Sequence, residues 1–166
     1  MKMLGATLLP SVLGLILSGC ATAPQIPVSE KSYTVIFDVK SVDKNELFVR
    51  ANTWFVANFV NAESVIQFSD KENGKIAGKY YSELTVGLNY YGVKQMIEVD
   101  VKDEKVRIMF ENPTTIYLGN AFGPKGKVAG FDWGDVYEQK EMDAINSDWR
   151  RLAVSLNERL NKKDSW

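Results

Sequence analysis

The sequence predicts an α+β domain whose elements follow the order β-α-β-β-β-β-α, with about five strands in one antiparallel sheet. Three observations predict it. Apolar and polar residues alternate through several segments, which is typical of a sheet with one buried and one exposed face. Two other segments repeat apolar residues with a helical period. The short polar link at residues 102–105 fits a hairpin, and a hairpin makes the strands beside it antiparallel.

The first strand and the first helix are predicted at the start of the domain. Residues 33–39 alternate and are rich in β-branched and aromatic side chains, so they predict a strand. Asp43 then precedes a segment with helical period, and Glu46 follows it at the spacing of a helix-start signal. Apolar residues continue at this period to Phe59, and Asn61 is the expected end of the helix.

Four further strands are predicted in the middle of the chain. They are residues 65–68, 76–86, 95–101 and 106–110. An acidic run with Asn73 and Gly74 separates the first two, because asparagine and glycine readily adopt the left-handed conformation that a turn needs. The link at 102–105 joins the last two strands.

The end of the domain combines an irregular segment with a second helix. Residues 112–139 contain prolines and several glycines, and only 114–118 has the composition of a short strand. A connection of this length is often functional or mobile. Residues 140–160 carry an apolar stripe at helical spacing, so Trp149 is predicted to be buried against the sheet beside Ile145.

The N-terminus has the layout of an export signal. Residues 1–19 combine Lys2 with a short apolar run, and the sequence Leu17-Ser18-Gly19-Cys20 resembles the lipobox of bacterial lipoproteins. That resemblance implies that Cys20 is acylated and becomes the first mature residue, with residues 20–32 as a proline-containing tether. Ala21 after the cysteine implies the outer membrane. The alternative is an uncleaved anchor helix, although the apolar run is shorter than a spanning helix requires.

Composition restricts the chemistry of the domain, predicted as one unit at residues 33–166. The chain has one cysteine, no histidine and a net charge of −1. A disulfide framework, a Ser-His-Asp site and a Cys-His site are therefore excluded within one chain. We expect no metal and no cofactor, because histidine and thiolate are the usual protein ligands of zinc. A nearly balanced charge also argues against a nucleic-acid partner.

The element order and several short stretches resemble a known family. The stretches are Tyr33-Thr34-Val35-Ile36-Phe37, Asn52-Thr53-Trp54-Phe55 and Ser69-Asp70. Together with the lipobox, they resemble a family of uncharacterised bacterial envelope proteins, described as a domain of unknown function with a TATA-binding-protein-like (TBP-like) fold. The resemblance covers about residues 33–160. It implies a curved antiparallel sheet with helices on one face, and it implies no reaction.

Five aromatic residues are the candidates for ligand binding. Tyr90 and Tyr91 are adjacent, and adjacent strand residues point to opposite faces, so one of them would be exposed. Tyr117, Phe131 and Trp133 lie in the glycine-rich segment 112–139, which combines backbone freedom with aromatic contact area. The alternative for this segment is a loop whose aromatic side chains only cap the core.

The predicted function is a non-catalytic binding or assembly module of the cell envelope. It is held in the membrane by the lipid on Cys20, faces the periplasm, and has an envelope protein or peptide as its expected partner. A carboxylate-based enzyme is one alternative. Glu98 and Asp100 share a strand face, but cross-strand pairing with nearby lysines such as Lys94, Lys102 and Lys105 is favoured there. A structural lipoprotein that self-associates through a sheet edge is the other alternative.

Overall fold

The computed structural model describes residues 26–59 and 65–162. Cys20, the predicted signal peptide and residues 21–25 of the tether lie outside the described residues. A short 3₁₀ turn at Val28–Glu30 precedes the domain. The strands are β1 (Ser32–Asp38), β2 (Ile66–Asp70), β3 (Lys75–Val86), β4 (Asn89–Lys102), β5 (Lys105–Asn120) and β6 (Gly134–Asp135), and the helices are α1 (Lys44–Asn58) and α2 (Gln139–Asn161).

All strand pairs are antiparallel, and they form one six-stranded sheet in the order β2-β3-β4-β5-β1, with β6 added to β5. The predicted α+β class and the element order are therefore confirmed. The prediction of about five strands is one strand short, because the two-residue β6 pairs with Thr114 and Thr115. So short a segment leaves too little alternation to be recognised in a sequence.

The prediction that residues 112–139 are irregular is wrong for its first third. Strand β5 continues to Asn120, and β4 begins at Asn89 instead of Gln95. Both strands cross a bulge where the register shifts between Lys94 and Met96. Pro113 has no N–H to donate, and a bulge is one of the few places in a sheet where proline is tolerated. The ladder therefore continues past the proline.

The core lies between one face of the sheet and the two helices. Strand residues such as Ile97 and Phe110 are fully buried on this inner face. The α1 residues Trp54 and Phe55 and the α2 residues that are spaced along its apolar stripe pack against them. The predicted start of α1 is confirmed, because the Asp43 side chain accepts a hydrogen bond of 3.0 Å from the backbone N–H of Glu46. The helix ends at Asn58, before the expected Asn61.

Charged pairs cover one end of the outer face. Lys75 forms salt bridges with Glu98 at 3.0 Å and Asp100 at 3.1 Å, and Arg107 binds Asp100 from the next strand. Both carboxylates are ion-paired, as the sequence predicts. The predicted partners are wrong, because none of the three lysines Lys94, Lys102 and Lys105 lies opposite Glu98 or Asp100 in the strand register.

The segment just before β1 contacts the domain, although residues 20–32 were predicted to be a tether. Ile26 is buried in the core, and the Lys31 ammonium forms a 2.7 Å salt bridge with Asp135 of β6. The packed part of the described chain thus includes Ile26. Within the described residues, no helix is long and apolar enough to cross a membrane.

Candidate functional site

The segment between β5 and α2 wraps around the end of the sheet. It leaves β5 at Asn120, returns as β6 beside β5, and leads into α2. Its aromatic residues lie on both sides of the sheet. Phe131 contacts Tyr117 on the inner, helix-bearing side, whereas Trp133 contacts Tyr81 on the outer side. The segment therefore forms two different surfaces, called here the groove and the clamp.

The groove is an open cavity of about 570 Å³ on the inner side. It lies where the inner face of β4 and β5 meets the loop, β6 and the first turn of α2. Its lining residues come from three parts of the chain. They are Asn89, Tyr91, Thr115 and Tyr117 from β4 and β5, Phe131, Asp132, Gly134 and Asp135 from the loop and β6, and Tyr137, Glu138 and Glu141 from the start of α2.

One wall of the groove is a row of aromatic rings. The Tyr91 and Tyr117 rings lie 5.8 Å apart between centroids, and the Tyr117 and Phe131 rings lie 5.0 Å apart. Phe131 is half exposed, and Tyr137, which also lines the groove, is 66% exposed. Such exposed rings provide contact area for a ligand at little cost in side-chain entropy.

The groove is also acidic. Four carboxylates line the groove, from Asp132, Asp135, Glu138 and Glu141, and no lysine or arginine is among the lining residues that the structure describes. Only 7% of Glu141 is exposed. Burial raises the pKa of this carboxyl above its ordinary value, although the neighbouring Tyr91 hydroxyl opposes that shift. Burial and the nearby Glu141 and Glu138 also raise the pKa of Tyr91.

The clamp holds the loop from the outer side. The Trp133 ring lies 6.2 Å from the Tyr81 ring in an edge contact, and the Lys94 ammonium lies 4.0 Å from the Trp133 ring centroid. Lys125 forms a salt bridge with Glu83. The Tyr81 hydroxyl donates a 2.9 Å hydrogen bond to Glu83, and burial together with this bond raises the pKa of Tyr81 to about 12.

The five candidate residues from the sequence separate into two groups. Tyr91, Tyr117 and Phe131 line the groove. Trp133 belongs to the clamp, and Tyr90 lies on the same outer side, with the Lys125 ammonium 5.3 Å from its ring centroid. Tyr90 and Tyr91 point to opposite faces, as adjacent strand residues do, but the expectation that one of them is exposed is wrong, because both are half-buried.

The sequence analysis missed Tyr137, Glu138 and Glu141. An acidic residue in the first turn of a helix is common, since the helix dipole stabilises it there, so Glu141 gave no distinctive signal. What makes it unusual is its burial against Tyr91, which depends on how α2 packs over the end of the sheet. The one available signal was that Tyr137 and Glu138 lie only a few positions after Phe131 and Trp133 in the sequence.

Trp133→Ala tests the clamp. We expect it to lower the free energy of unfolding by about 1–2 kcal/mol, because one aromatic pair and one cation–π contact are lost. We also expect faster hydrogen exchange at Gly134 and Asp135, measured by mass spectrometry. Phe131→Ala is the matched variant, since half of its side chain is already exposed, and its effect should be smaller. Equal exchange in Trp133→Ala and the unchanged protein contradicts a holding role.

A second depression lies on the outer face and is a weaker candidate. It has a volume of about 350 Å³ and is lined by Lys75, Lys105, Arg107 and Asp100 among others. Most of its charges are already paired, because Asp100 binds Lys75 and Arg107, and Lys105 binds Asp38. Although burial raises the pKa of Asp100, these cations hold it below its ordinary value. Among the residues with a described position, no group of three or more acidic side chains is arranged to hold a metal ion.

The family model for a domain of unknown function with TBP-like fold, DUF4468, matches residues 33–115. The chain belongs to this family. The match ends within β5, so it includes Tyr91 but neither the loop nor α2. No curated protein matches the chain.

Two solved structures support the fold of this DUF4468 domain. A TBP-like protein from Parabacteroides distasonis superimposes with a TM-score of 0.63 at 15% identity, covering 86% of this chain and 99% of that one. A DUF4468 family protein from Bacteroides ovatus gives a TM-score of 0.59 at 14% identity, covering 86% and 93%. At such identities the likeness concerns the fold alone, and the predicted TBP-like fold is confirmed.

Proposed function

We propose that this protein is a non-catalytic binding module of the bacterial cell envelope, anchored through a lipid on Cys20 and facing the periplasm. The ligand binds in the groove. One observation carries the proposal. Tyr91, Tyr117 and Phe131, which are distant in the sequence, meet along one wall of a cavity large enough for a side chain or a small molecule.

The position of the groove also supports binding. It is built on the rigid ladder between β4 and β5, and the clamp fixes its loop from the other side of the sheet. A loop held by a rigid scaffold is a common arrangement for recognition. Phe131 is half exposed although it touches Tyr117, so capping the core does not account for this ring.

Site-specific photo-crosslinking in intact cells tests the proposal. A photoreactive phenylalanine analogue is placed at position 131 in the full-length protein. The matched position is 122, because Phe122 belongs to the same loop, is 85% exposed and does not line the groove. We expect a discrete adduct from position 131 that position 122 does not give.

The adduct should disappear when Tyr117→Ala removes the neighbouring ring of the groove wall. Protein levels and the melting temperature of this variant provide the folding control. Identical adducts from positions 131 and 122, or none from position 131, contradict a ligand site in the groove.

A carboxylate-based enzyme is the second candidate, because a buried carboxyl with a raised pKa in a cavity is typical of general acids. The candidates differ in the fate of the ligand. A binding module releases it unchanged, whereas an enzyme converts it. Glu98 and Asp100 give the enzyme no support, since both are ion-paired.

Self-association through a sheet edge has less support than ligand binding. On the β2 side the edge strand has only five residues, and its register shifts between Ile66 and Phe68. Short, bulged edge strands are poor templates for pairing with another chain.

A further inference from the structure

We propose that the groove recognises a cationic organic group, an alkylammonium or guanidinium of the kind carried by lysine and arginine side chains. This inference rests on the proposed function, because it names the chemistry of the ligand for the same groove. It is carried by the buried Glu141 side chain, the absence of lysine and arginine from the described lining residues, and the aromatic wall beside it.

Glu141 is the centre of the argument. It is more than nine-tenths buried, it lines the groove, and none of the salt bridges among the described residues involves it. The neutral hydroxyl of Tyr91 is its polar neighbour. A buried carboxylate without a cation is costly, and a cation placed beside it offsets that cost. The folded domain therefore holds a charge that an incoming cation would balance.

The remaining charges of the groove act in the same direction. Glu138 lies close enough to Glu141 to raise its pKa further, and Asp132 also lines the cavity. Within the described chain, Asp135 is the one groove carboxylate with a salt bridge, and its partner Lys31 reaches it from the segment before β1. An anionic ligand would be repelled by this set, while a cation would be attracted.

The aromatic wall selects an organic cation over a bare metal ion. Ring faces attract ammonium and guanidinium groups, and they also pack against the apolar stem that carries such a group. Tyr91, Tyr117 and Phe131 offer rings along one wall, and Glu141 stands at the Tyr91 end. A lysine or arginine side chain matches both parts, with its stem on the rings and its charge at the carboxylate.

Ligand-detected saturation-transfer NMR on the full-length protein in a non-ionic detergent tests this inference. The cationic probes are N-acetyl-lysine methylamide, N-acetyl-arginine methylamide and spermidine. The neutral probe is N-acetyl-norleucine methylamide, which has an apolar chain of similar length and no charge. We expect saturation transfer to at least one cationic probe and much weaker transfer to the neutral one.

Glu141→Gln should lower the affinity for the cationic probe by about tenfold or more, because the substitution removes the charge and keeps the shape of the side chain. Glu98→Gln is the matched control on the outer face and should leave the affinity unchanged. If Glu141→Gln melts much earlier than the unchanged protein, Tyr117→Leu is the second variant. It removes a ring and keeps apolar bulk, so it should weaken cationic probes more than the neutral one.

The outcomes separate this inference from the proposed function. Stronger binding of the lysine or arginine probe than of spermidine supports a polypeptide side chain as the source of the cation, and the reverse order supports a free polyamine. Equal transfer to cationic and neutral probes, or transfer to none, overturns the cationic inference. If the adduct from position 131 is nevertheless obtained, the groove remains a ligand site for an uncharged group.

Discussion

Replacing Trp149 by alanine is expected to lower the free energy of unfolding by about 3–5 kcal/mol, the range for a large aromatic side chain lost from a packed core. Trp149 is fully buried, and its ring stacks on Phe110 with centroids 5.8 Å apart. Its indole N–H donates a 2.5 Å hydrogen bond to the Gln95 side chain, which is itself buried. The variant thus creates a cavity and leaves a buried acceptor without its donor.

Chemical denaturation of Trp149→Ala and Trp149→Phe checks this expectation. Trp149→Phe keeps a ring against Phe110 and loses the indole N–H, so its cost should be about 1–3 kcal/mol, the penalty for an unsatisfied buried polar group. A Trp149→Ala variant that unfolds at the same denaturant concentration as the unchanged protein would mean that this helix does not pack as described.

The parts of the fold that a sequence can predict are those encoded by side-chain period. In β3, Ile76 and Tyr80 are buried while Tyr81 is 49% exposed, as its alternation indicates. The N-terminus of α1 is recognisable because the Asp43 cap is a local interaction between neighbours. Such features depend on residues a few positions apart, so they are present in the chain before it folds.

The continuation of β5 through Pro113 could not be predicted in this way. Proline in a local pattern indicates the end of a strand, and the following glycines favour a loop. In the fold, β4 provides the partner that keeps the ladder going, and the bulge opposite Gln95 accommodates the proline. A long-range pairing here overrides the local preference.

The groove was predictable in its aromatic residues and not in its charges. Tyr117 and Phe131 were candidates because a glycine-rich segment with aromatic rings is typical of binding loops, and Tyr91 because of strand alternation. Glu141 is one acidic residue among many in the sequence. Its significance comes from burial, which arises only when the first turn of α2 settles over the end of the sheet. Burial of a single side chain in a helix turn has no signature in the local sequence.

The full-length protein also offers a test of its anchor. Cys20→Ser is expected to abolish stable anchoring through acyl chains, because each buried methylene contributes about 0.8 kcal/mol and a serine in this position carries no lipid. We expect the unchanged protein to fractionate with membranes, with an acylated Cys20 as its first residue. Mass spectrometry of the N-terminus and fractionation of cells make the measurement.

Ser18→Ala is the matched control for Cys20→Ser. Ser18→Ala keeps a small residue beside the cleaved bond and keeps Cys20, so acylation and membrane fractionation should persist. Cys20→Ser protein should be found released from the membrane, or stalled there with Met1 still present. If unchanged protein on the membrane begins at Met1, an uncleaved helix holds it and the lipid anchor is wrong.

If the unchanged protein begins at acylated Cys20, few residues separate the lipid from Ile26, where the chain is already buried against the domain. A tether that short holds the domain close to the membrane surface, so any partner of the groove must be reached there.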